Sequence, residues 1–298
     1  MRHRAFQQVD VFTDRPFLGN PVAVVLDGEG LDTAQMQRIA AWTNLSETTF
    51  VLPPTEPGAD WLLRIFTPGG ELPFAGHPTI GTAHALLEAG RVQPRDGALV
   101  QQCAAGLVPL QIDTGADGQR RIAFTLPPTR ETALDDGQLD ALDRALGQPV
   151  LRDPRPRVID VGPRWLVAQM ADAAAVLALR PDFAEMARQD AARGPGSGVI
   201  VFGAHEPQVG GHAGAQVELR AFMPAAGVPE DPVCGSGNGC MAVFVCDTGQ
   251  TGRFGARFIS TQGRALGRDG QVALGIAADG AITVGGQAVT VIEGRIQA

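Results

Sequence analysis

One stretch of the sequence occurs twice, and this repeat limits the folds that the chain can adopt. The copies read RIFTPGGELPFAGHPTIGTAHALLE at 64–88 and RAFMPAAGVPEDPVCGSGNGCMAVFVCD at 220–247. Aligned from their first residues, they share an arginine, a phenylalanine and a first proline, and Pro73 then matches Pro229. After a short insertion in the second copy, AGHPT lies against CGSGN. A repeat in two distant halves predicts two similar, pseudo-symmetric lobes.

Each copy shows the same order of a strand, a loop rich in proline and glycine, and a helix. The helices, predicted over about 79–89 and 238–247, carry small or apolar residues on every side, which is typical of a helix buried inside a curved sheet. The strands show few strand–helix–strand crossovers, so the predicted class is α+β with mixed or antiparallel sheets. A loop that ends at a helix N-terminus presents N–H groups to an anion. Two such loops predict a small anion site in a cleft between the lobes.

Composition excludes several partners. The 298 residues carry a net charge of −8, and the basic residues are spread singly or in pairs, which argues against a nucleic-acid-binding surface. No apolar run reaches the length of a membrane span, and the N-terminal residues lack the apolar segment of a signal peptide. The four cysteines form no CxxC motif. We therefore expect a cytoplasmic protein with reduced thiols and no membrane partner.

Two residue types are missing from the sequence, and their absence limits the chemistry. Every basic side chain of the lysine/arginine class is arginine, and there is no tyrosine. Without lysine, a Schiff-base mechanism and a Walker A loop are excluded. A general acid or base must then come from glutamate, aspartate, histidine or cysteine.

Glu47 is the sharpest candidate for an acid/base residue. It lies in NLSETTFVL, at a junction from loop to strand, with Leu45, Phe50 and Val51 around it. Partial burial there would raise its pKa towards neutrality, as the removal of a proton from carbon requires. The alternative is a solvated glutamate at the start of a strand.

His77, in FAGHPT, directly precedes the first predicted helix. A histidine at this place can relay a proton or donate to a substrate carboxylate; the alternative is a histidine that caps the loop. A metal pair of His77 with His84 lacks a third ligand of suitable spacing, so we expect no metal.

The second glycine loop offers Asp231 and Cys234. Asp231 follows Glu230 and precedes a proline, so it is either a functional carboxylate or part of an ordinary turn. Cys234 stands at a helix N-terminus, which predicts a lowered thiol pKa and a thiolate base; the alternative is a small buried residue. The GSGNGC segment matches a dinucleotide loop only in part, because Cys240 occupies the third glycine position.

Four separate motifs carry a resemblance to a known family. They are DVFTDRPFLGNPVAVV, NLSETTFV, RIFTPGGELPFAGHPTIGTAHALL and RAFMPAAGVPEDPVCGSGNG, in this order along the chain. Together they resemble the PhzF-like (phenazine-biosynthesis-like) family, which has the diaminopimelate epimerase-like fold. The resemblance covers essentially the whole chain.

The resemblance implies an isomerase whose active site lies in a cleft between two lobes, each with a curved sheet around a central helix. A composition shift in PPTRETALDDGQ, at 127–138, predicts the link between the lobes. Because the C-terminal strand of the family often returns to the first lobe, we expect lobes of 1–127 plus 285–298 and of 128–284. The resemblance also implies a homodimer, no cofactor and a small carboxylate-bearing substrate.

The family's motifs carry roles over to residues of this chain. They make Glu47 the acid/base, with His77 and Asp231 as further catalytic residues. By the same resemblance, Gly76, Gly235 and Ser236 of the two glycine loops bind the substrate. We expect Cys234, which heads the second loop, to contact the substrate as well.

The sequence departs from the family pattern at Cys234, where members usually carry threonine. Racemases and epimerases of the same fold use a facing pair of cysteines, but the facing position here is Ala75. Three readings therefore stay open: an isomerase that uses Glu47, an epimerase or racemase that uses Cys234 as one base, and a non-catalytic protein that binds a small acid.

Overall fold

The computed structural model describes residues 2–115, 118–194, 196–206 and 214–298. The chain divides into two compact units. Unit 1 comprises Met1–Thr125 and Gly285–Ala298, and unit 2 comprises Leu126–Val284. Both units contain helices and sheets that mix parallel and antiparallel strands, which confirms the predicted α+β class.

The elements follow one another in chain order. Unit 1 contains β1 His3–Val11, β2 Asn20–Val25, α1 Thr33–Thr43, β3 Thr48–Leu52, β4 Trp61–Phe66, β5 Glu71–Leu72, α2 Gly76–Glu88, β6 Ala98–Cys103, β7 Gly106–Thr114 and β8 Arg120–Thr125. The chain continues with β9 Arg130–Ala133, α3 Asp136–Leu146, β10 Arg157–Asp160, β11 Arg164–Gln169, α4 Ala173–Ala178, α5 Phe183–Arg193, β12 Ser197–Ala204, β13 Ala215–Met223, β14 Val228–Asp231, α6 Gly235–Asp247, α7 Thr251–Phe254, β15 Arg257–Gln262, β16 Gly270–Ile276 and β17 Ile282–Gly286. It returns to unit 1 with β18 Ala288–Gln297. Among the helices of the described ranges, none is long and apolar enough to cross a membrane.

The sheet of unit 1 curves around α2. Its strands run in the order β18-β1-β2-β3-β4-β6-β7-β8, with the short β5 added to β4. The helix α2 contacts strands from both ends of this order, β18 and β8, as well as β1, β2 and β3. Its residues from Gly76 to Leu86 are all buried, as expected of a helix that is apolar all round.

Unit 2 repeats this arrangement. Its strands run β9-β10-β11-β12-β13-β15-β16, with β14 added to β13. The pairs β11–β12 and β13–β15 are parallel, like β2–β3 and β4–β6 of unit 1. The central helix α6 contacts β11, β12 and β16 and is buried over its first three turns, apart from Ser236. The prediction of two similar lobes, each with a central helix, is confirmed.

Both central helices begin about three residues earlier than predicted, at Gly76 and Gly235. The prediction treated the proline and glycines as loop residues. Pro78, however, lies in the first helical turn, where a missing N–H costs no hydrogen bond. Gly237 is needed there because a Cβ would collide with Cδ1 of Ile200. His77 and Ser236 therefore belong to helical first turns rather than to loops.

The strand register corrects the alignment of the two repeat copies. The residue after the shared arginine pairs with Leu72 in unit 1 and with Asp231 in unit 2. Leu72 and Asp231 are therefore equivalent in the two copies, and the match of Pro73 with Pro229 is wrong. Pro73 corresponds instead to the proline that follows Asp231. The extra residues of the second copy lie before β14, where Pro224–Ala226 form a turn of 3-10 helix.

Candidate active site

Glu47 directly precedes β3, at the start of its pairing with β2. Its backbone carbonyl accepts a hydrogen bond of 3.3 Å from the Ala23 N–H, so the strand ladder fixes its backbone. The side chain is mostly buried, with 14% of its surface exposed. The sheet thus holds a carboxylate at a fixed place while leaving part of it accessible.

The first turn of α2 brings His77 to Glu47. The Nε2 atom of His77 lies 3.3 Å from Oε2 of Glu47, and the ring is 5% exposed. The other ring nitrogen, Nδ1, lies 3.5 Å from Nδ2 of Asn20, the first residue of β2. Three elements that are distant in sequence therefore meet at one imidazole ring.

The His77 ring is uncharged at neutral pH. Burial lowers its pKa to about 3, and a hydrogen bond to the Pro21 backbone opposes this shift only in part. Desolvation of a buried imidazole penalises its charged form. Glu47 consequently faces a neutral ring rather than a fixed cation.

Gly76 begins α2 and leaves no room for a side chain. A Cβ at this position would lie 2.6 Å from Cζ of Phe124. The preceding residue, Ala75, is the N-cap and has no side chain that could bind the first N–H groups of the helix. Such uncapped N–H groups, together with the helix dipole, favour an anion.

In unit 2, Asp231 ends β14 and forms a short turn. Its Oδ1 accepts a hydrogen bond of 3.1 Å from the Val233 N–H. Burial raises the pKa of Asp231 to about 6, although hydrogen bonds from Val233 and from the Cys234 side chain act in the opposite direction. Asp231 is therefore part of a turn, as one of the two alternatives predicted. Its carboxyl group can also take up and release a proton close to neutral pH.

Cys234 is the N-cap of α6, but its thiol is not activated. Its Sγ accepts a hydrogen bond of 3.3 Å from the Gly237 N–H and lies 3.5 Å from Oγ of Ser236. Burial, followed by the nearby Asp231 carboxylate, raises the thiol pKa well above its usual value. The predicted lowering of this pKa is wrong, because desolvation and a negative neighbour outweigh the helix N-terminus.

The remaining predicted residues of the second loop lie in the first turn of α6. Gly235 begins the helix and is buried, whereas Ser236 is partly exposed. The Trp165 Nε1–H donates a hydrogen bond of 3.0 Å to Oγ of Ser236. Since the indole only donates, the Ser236 hydroxyl keeps its own proton for an acceptor, either Sγ of Cys234 or a ligand.

Each unit thus assembles one group of the predicted residues. Unit 1 brings together Glu47, Gly76 and His77, and unit 2 brings together Asp231, Cys234, Gly235 and Ser236. His84 stays apart from the unit 1 group and contacts Oγ1 of Thr290 at 3.1 Å. Within the described ranges, no group of three histidine, cysteine or acidic side chains has the arrangement of a metal site.

Sequence reasoning missed three polar neighbours of these residues: Asn20, Trp165 and Gln262. Each belongs to a strand that is distant in sequence from the loop it contacts. Only the pairing of the strands brings them to the site, so no local spacing could indicate them.

The chain is similar to known proteins both in sequence and in structure. The sequence profile of the family described as phenazine biosynthesis-like protein matches residues 9–294. Antisense-enhancing sequence 1 of Schizosaccharomyces pombe is 41% identical over 302 residues, which cover 99% of each chain. Trans-2,3-dihydro-3-hydroxyanthranilate isomerase of Pseudomonas chlororaphis is 35% identical over 262 residues, which cover 87% of this chain and 86% of that protein. The crystal structure of a Bacillus anthracis phenazine biosynthesis protein of the PhzF family aligns over 100% of both chains, with a TM-score of 0.86 and 25% identity.

Proposed function

The chain belongs to the phenazine biosynthesis-like protein family, and from this membership we propose that it is an isomerase that moves a proton on a small carboxylate-bearing substrate, with Glu47 as the acid/base. The observation that supports this role is the distance of 3.3 Å between Oε2 of Glu47 and Nε2 of a buried His77. Both groups lie beside the N-terminus of α2, where developing negative charge is stabilised.

The proposed reaction is a transfer of one proton between two carbon atoms. The Glu47 carboxylate removes a proton from a carbon that is activated by a carboxylate or a conjugated system. The electron pair moves into the conjugated system, and the N–H groups of α2 offset the charge that develops. The proton then returns to a different carbon, so substrate and product have the same composition and no electron is gained or lost.

We assign the second glycine loop two roles in the same reaction. Asp231 exchanges a proton near neutral pH, which suits a group that protonates the product carbon in place of Glu47. In that case Glu47 passes the proton that it removed to water and Asp231 takes one up from water, so both groups return to their starting states. Gly235 and Ser236 offer an N-terminal N–H group and a hydroxyl proton, which suit a substrate carboxylate. No cofactor takes part in these steps.

The name of the Pseudomonas chlororaphis relative supplies the first substrate to test, trans-2,3-dihydro-3-hydroxyanthranilate. An epimerase that uses Cys234 as a base is the second candidate, but the raised thiol pKa argues against it. A non-catalytic protein that binds a small acid is the third. Formation of a homodimer and a cytoplasmic location also belong to the proposal, and light scattering tests the former.

Solvent deuterium exchange tests the reaction and separates the candidates. Purified protein without added cofactor is incubated in D₂O with this substrate, and NMR follows deuterium at each carbon. Exchange that is retained in Cys234→Ser and lost in Glu47→Gln supports the proposal. Loss in Cys234→Ser with retention in Glu47→Gln supports the epimerase. Binding without exchange, measured by calorimetry, supports the non-catalytic candidate.

A further inference from the structure

Gln262 makes three hydrogen bonds at the base of the second glycine loop. Its Oε1 accepts from the Cys234 backbone N–H at 3.0 Å and from Nδ2 of Asn238 at 2.8 Å. Its Nε2 donates to the Asp231 carbonyl at 2.9 Å. The side chain is fully buried. Because β15 pairs in parallel with β13, with Leu219 opposite Gln262, the sheet itself sets the position of this side chain.

We propose that Gln262 is a positioning residue for the reaction, which fixes the peptide groups on both sides of the turn from Asp231 to Cys234. This inference rests on the proposed function, since it assigns Gln262 a role through Asp231 and the start of α6.

The geometry gives the amide only one orientation. The Cys234 N–H requires an acceptor and the Asp231 carbonyl requires a donor, so Oε1 and Nε2 of Gln262 cannot be exchanged. The bond to the Cys234 N–H also withdraws that group from any ligand. Because the Gly237 N–H donates to Sγ of Cys234, the N–H groups at the start of α6 that remain for an anion are those of Gly235 and Ser236.

Unit 1 contains a glutamine that serves as a matched comparison. Gln101 lies opposite Trp61 in the parallel pairing of β6 with β4, is fully buried, and donates from Nε2 to Oγ1 of Thr79 at 3.0 Å. Thr79 and Asn238 occupy the same place in the two repeat copies, the last residues of AGHPT and CGSGN. The bond of Gln101 reaches a side chain of the helix, whereas Gln262 also holds the peptide groups of a loop.

The test compares Gln262→Met with Gln101→Met, which remove equally buried amides. We expect Gln262→Met to lower kcat for the deuterium exchange by about a hundredfold, because misplaced catalytic groups cost rates of this order. KM should change much less, and Gln101→Met should retain kcat within about threefold. Circular dichroism verifies that both variants fold. Equal losses of kcat in the two variants would show that a buried glutamine is needed only for folding.

The variant Gln262→Glu gives a pH signature that a structural role would not produce. The carboxylate of the new glutamate still accepts a hydrogen bond from the Cys234 N–H. Its other oxygen, however, faces the Asp231 carbonyl, so two acceptors oppose each other and no hydrogen bond forms there. The protonated acid has one donor and one acceptor, as the amide has, and burial favours this form. We therefore expect the ratio of variant to wild-type kcat to rise as the pH falls from 8 to 5. A ratio that stays constant and well below one over this range contradicts the proposal.

Alkylation of Cys234 provides a measurement that needs no substrate. Release of its N–H and of the Asp231 carbonyl should open the turn, so that iodoacetamide labels Cys234 about tenfold faster in Gln262→Met than in Gln101→Met. Peptide mass spectrometry separates this thiol from the half-buried Cys246. If the wild type shows no exchange but the labelling rates differ as expected, the proposed substrate fails and the positioning role stands. Equal labelling rates overturn the positioning role whatever the activity.

Discussion

The guanidinium of Arg220 binds the carboxylate of Glu230 through two hydrogen bonds of 2.9 and 2.7 Å, and only 5% of each side chain is exposed. The first repeat copy contains the same pair. Arg64 binds Glu71 at 2.7 and 2.6 Å, with 24% and 34% of the side chains exposed. In both copies the pair joins a long strand to the short strand that leads into the glycine loop. The repeat therefore preserves one interaction in two different environments.

This difference in burial predicts different costs for the same substitution. Glu230→Gln leaves Arg220 as a buried charge without its counterion, which should lower the free energy of unfolding by about 3–5 kcal/mol. Glu71→Gln affects a pair that water screens in part, and should cost about 0–1 kcal/mol. Urea unfolding at pH 7 measures both values. Equal costs would mean that the buried pair is solvated in the folded protein.

The neutral His77 predicts a loss of stability in acid. Its pKa of about 3 in the folded state lies below the unfolded value of 6.5, so the unfolded chain binds the proton more tightly. The stability that this group contributes is complete above pH 6.5 and is lost as the pH falls towards 3. Between pH 7 and 5 the loss should be about 2 kcal/mol.

The variant His77→Gln tests this contribution, because glutamine places a polar group near Glu47 but does not titrate. Between pH 7 and 5 the free energy of unfolding should fall for both proteins. The fall should be smaller for His77→Gln than for the wild type, and the difference between the two should be about 2 kcal/mol. In NMR spectra, the signal of the His77 ring is the histidine signal that the wild type shows and the variant lacks. Its chemical shift should not change between pH 8 and 5. A midpoint between pH 6 and 7 for that signal would contradict the prediction.

Asp231 predicts the opposite dependence on pH. Its pKa of about 6 in the folded state lies above the ordinary value of 3.8, so the folded chain binds the proton more tightly and ionisation opposes folding. This destabilisation grows between pH 3.8 and 6 and is constant above. Asp231→Asn keeps the acceptor for the Val233 N–H and removes the charge. It should therefore be more stable than the wild type by about 1–3 kcal/mol at pH 7.5.

The same comparison at pH 4 provides the control for Asp231→Asn, since the wild-type carboxyl group is then protonated in the folded state. The two proteins should unfold at nearly the same urea concentration at pH 4. The exchange rate of the variant should fall although its stability rises, as is common where a strained group serves a reaction. A variant that is less stable than the wild type at both pH values would show that the carboxylate supports the turn.

Sequence periodicity was sufficient for the general fold. The repeated order of strand, loop and helix indicates two similar units, and the helices that are apolar all round indicate central helices. The exact starts of these helices were not predictable from the same pattern, because Pro78 and Gly237 are typical of loops as well as of first helical turns.

The interactions around the second glycine loop were less predictable. The thiol pKa of Cys234 depends on burial and on the neighbouring carboxylate, which act against the helix N-terminus. The three bonds of Gln262 depend on the pairing of β15 with β13. Long-range pairing and desolvation are properties of the folded chain, and residue spacing alone does not contain them.

The contact of Gly76 with Phe124 predicts how far the start of α2 tolerates change. In Gly76→Ala the new methyl group would lie 2.6 Å from Cζ of Phe124, so the helix or the ring has to move. Overpacking of this kind should cost about 1–3 kcal/mol in the free energy of unfolding. We also expect the deuterium exchange to slow, since the first turn of α2 carries His77. Gly70→Ala is the control, because nothing lies within 4 Å of its Cβ position.

A second substitution determines whether the collision with Phe124 causes the destabilisation in Gly76→Ala. Phe124→Leu replaces the ring that the methyl group would contact with a smaller side chain. By itself this substitution should destabilise the protein, because Phe124 is buried. In the variant that combines Gly76→Ala with Phe124→Leu, the smaller leucine side chain leaves room for the new methyl group, so the two costs should not add. We expect this double variant to be more stable than the sum of the single effects by about 1 kcal/mol or more, and to regain part of the exchange rate. Additive costs would show that Gly76 is required for its backbone and not for the space beside Phe124.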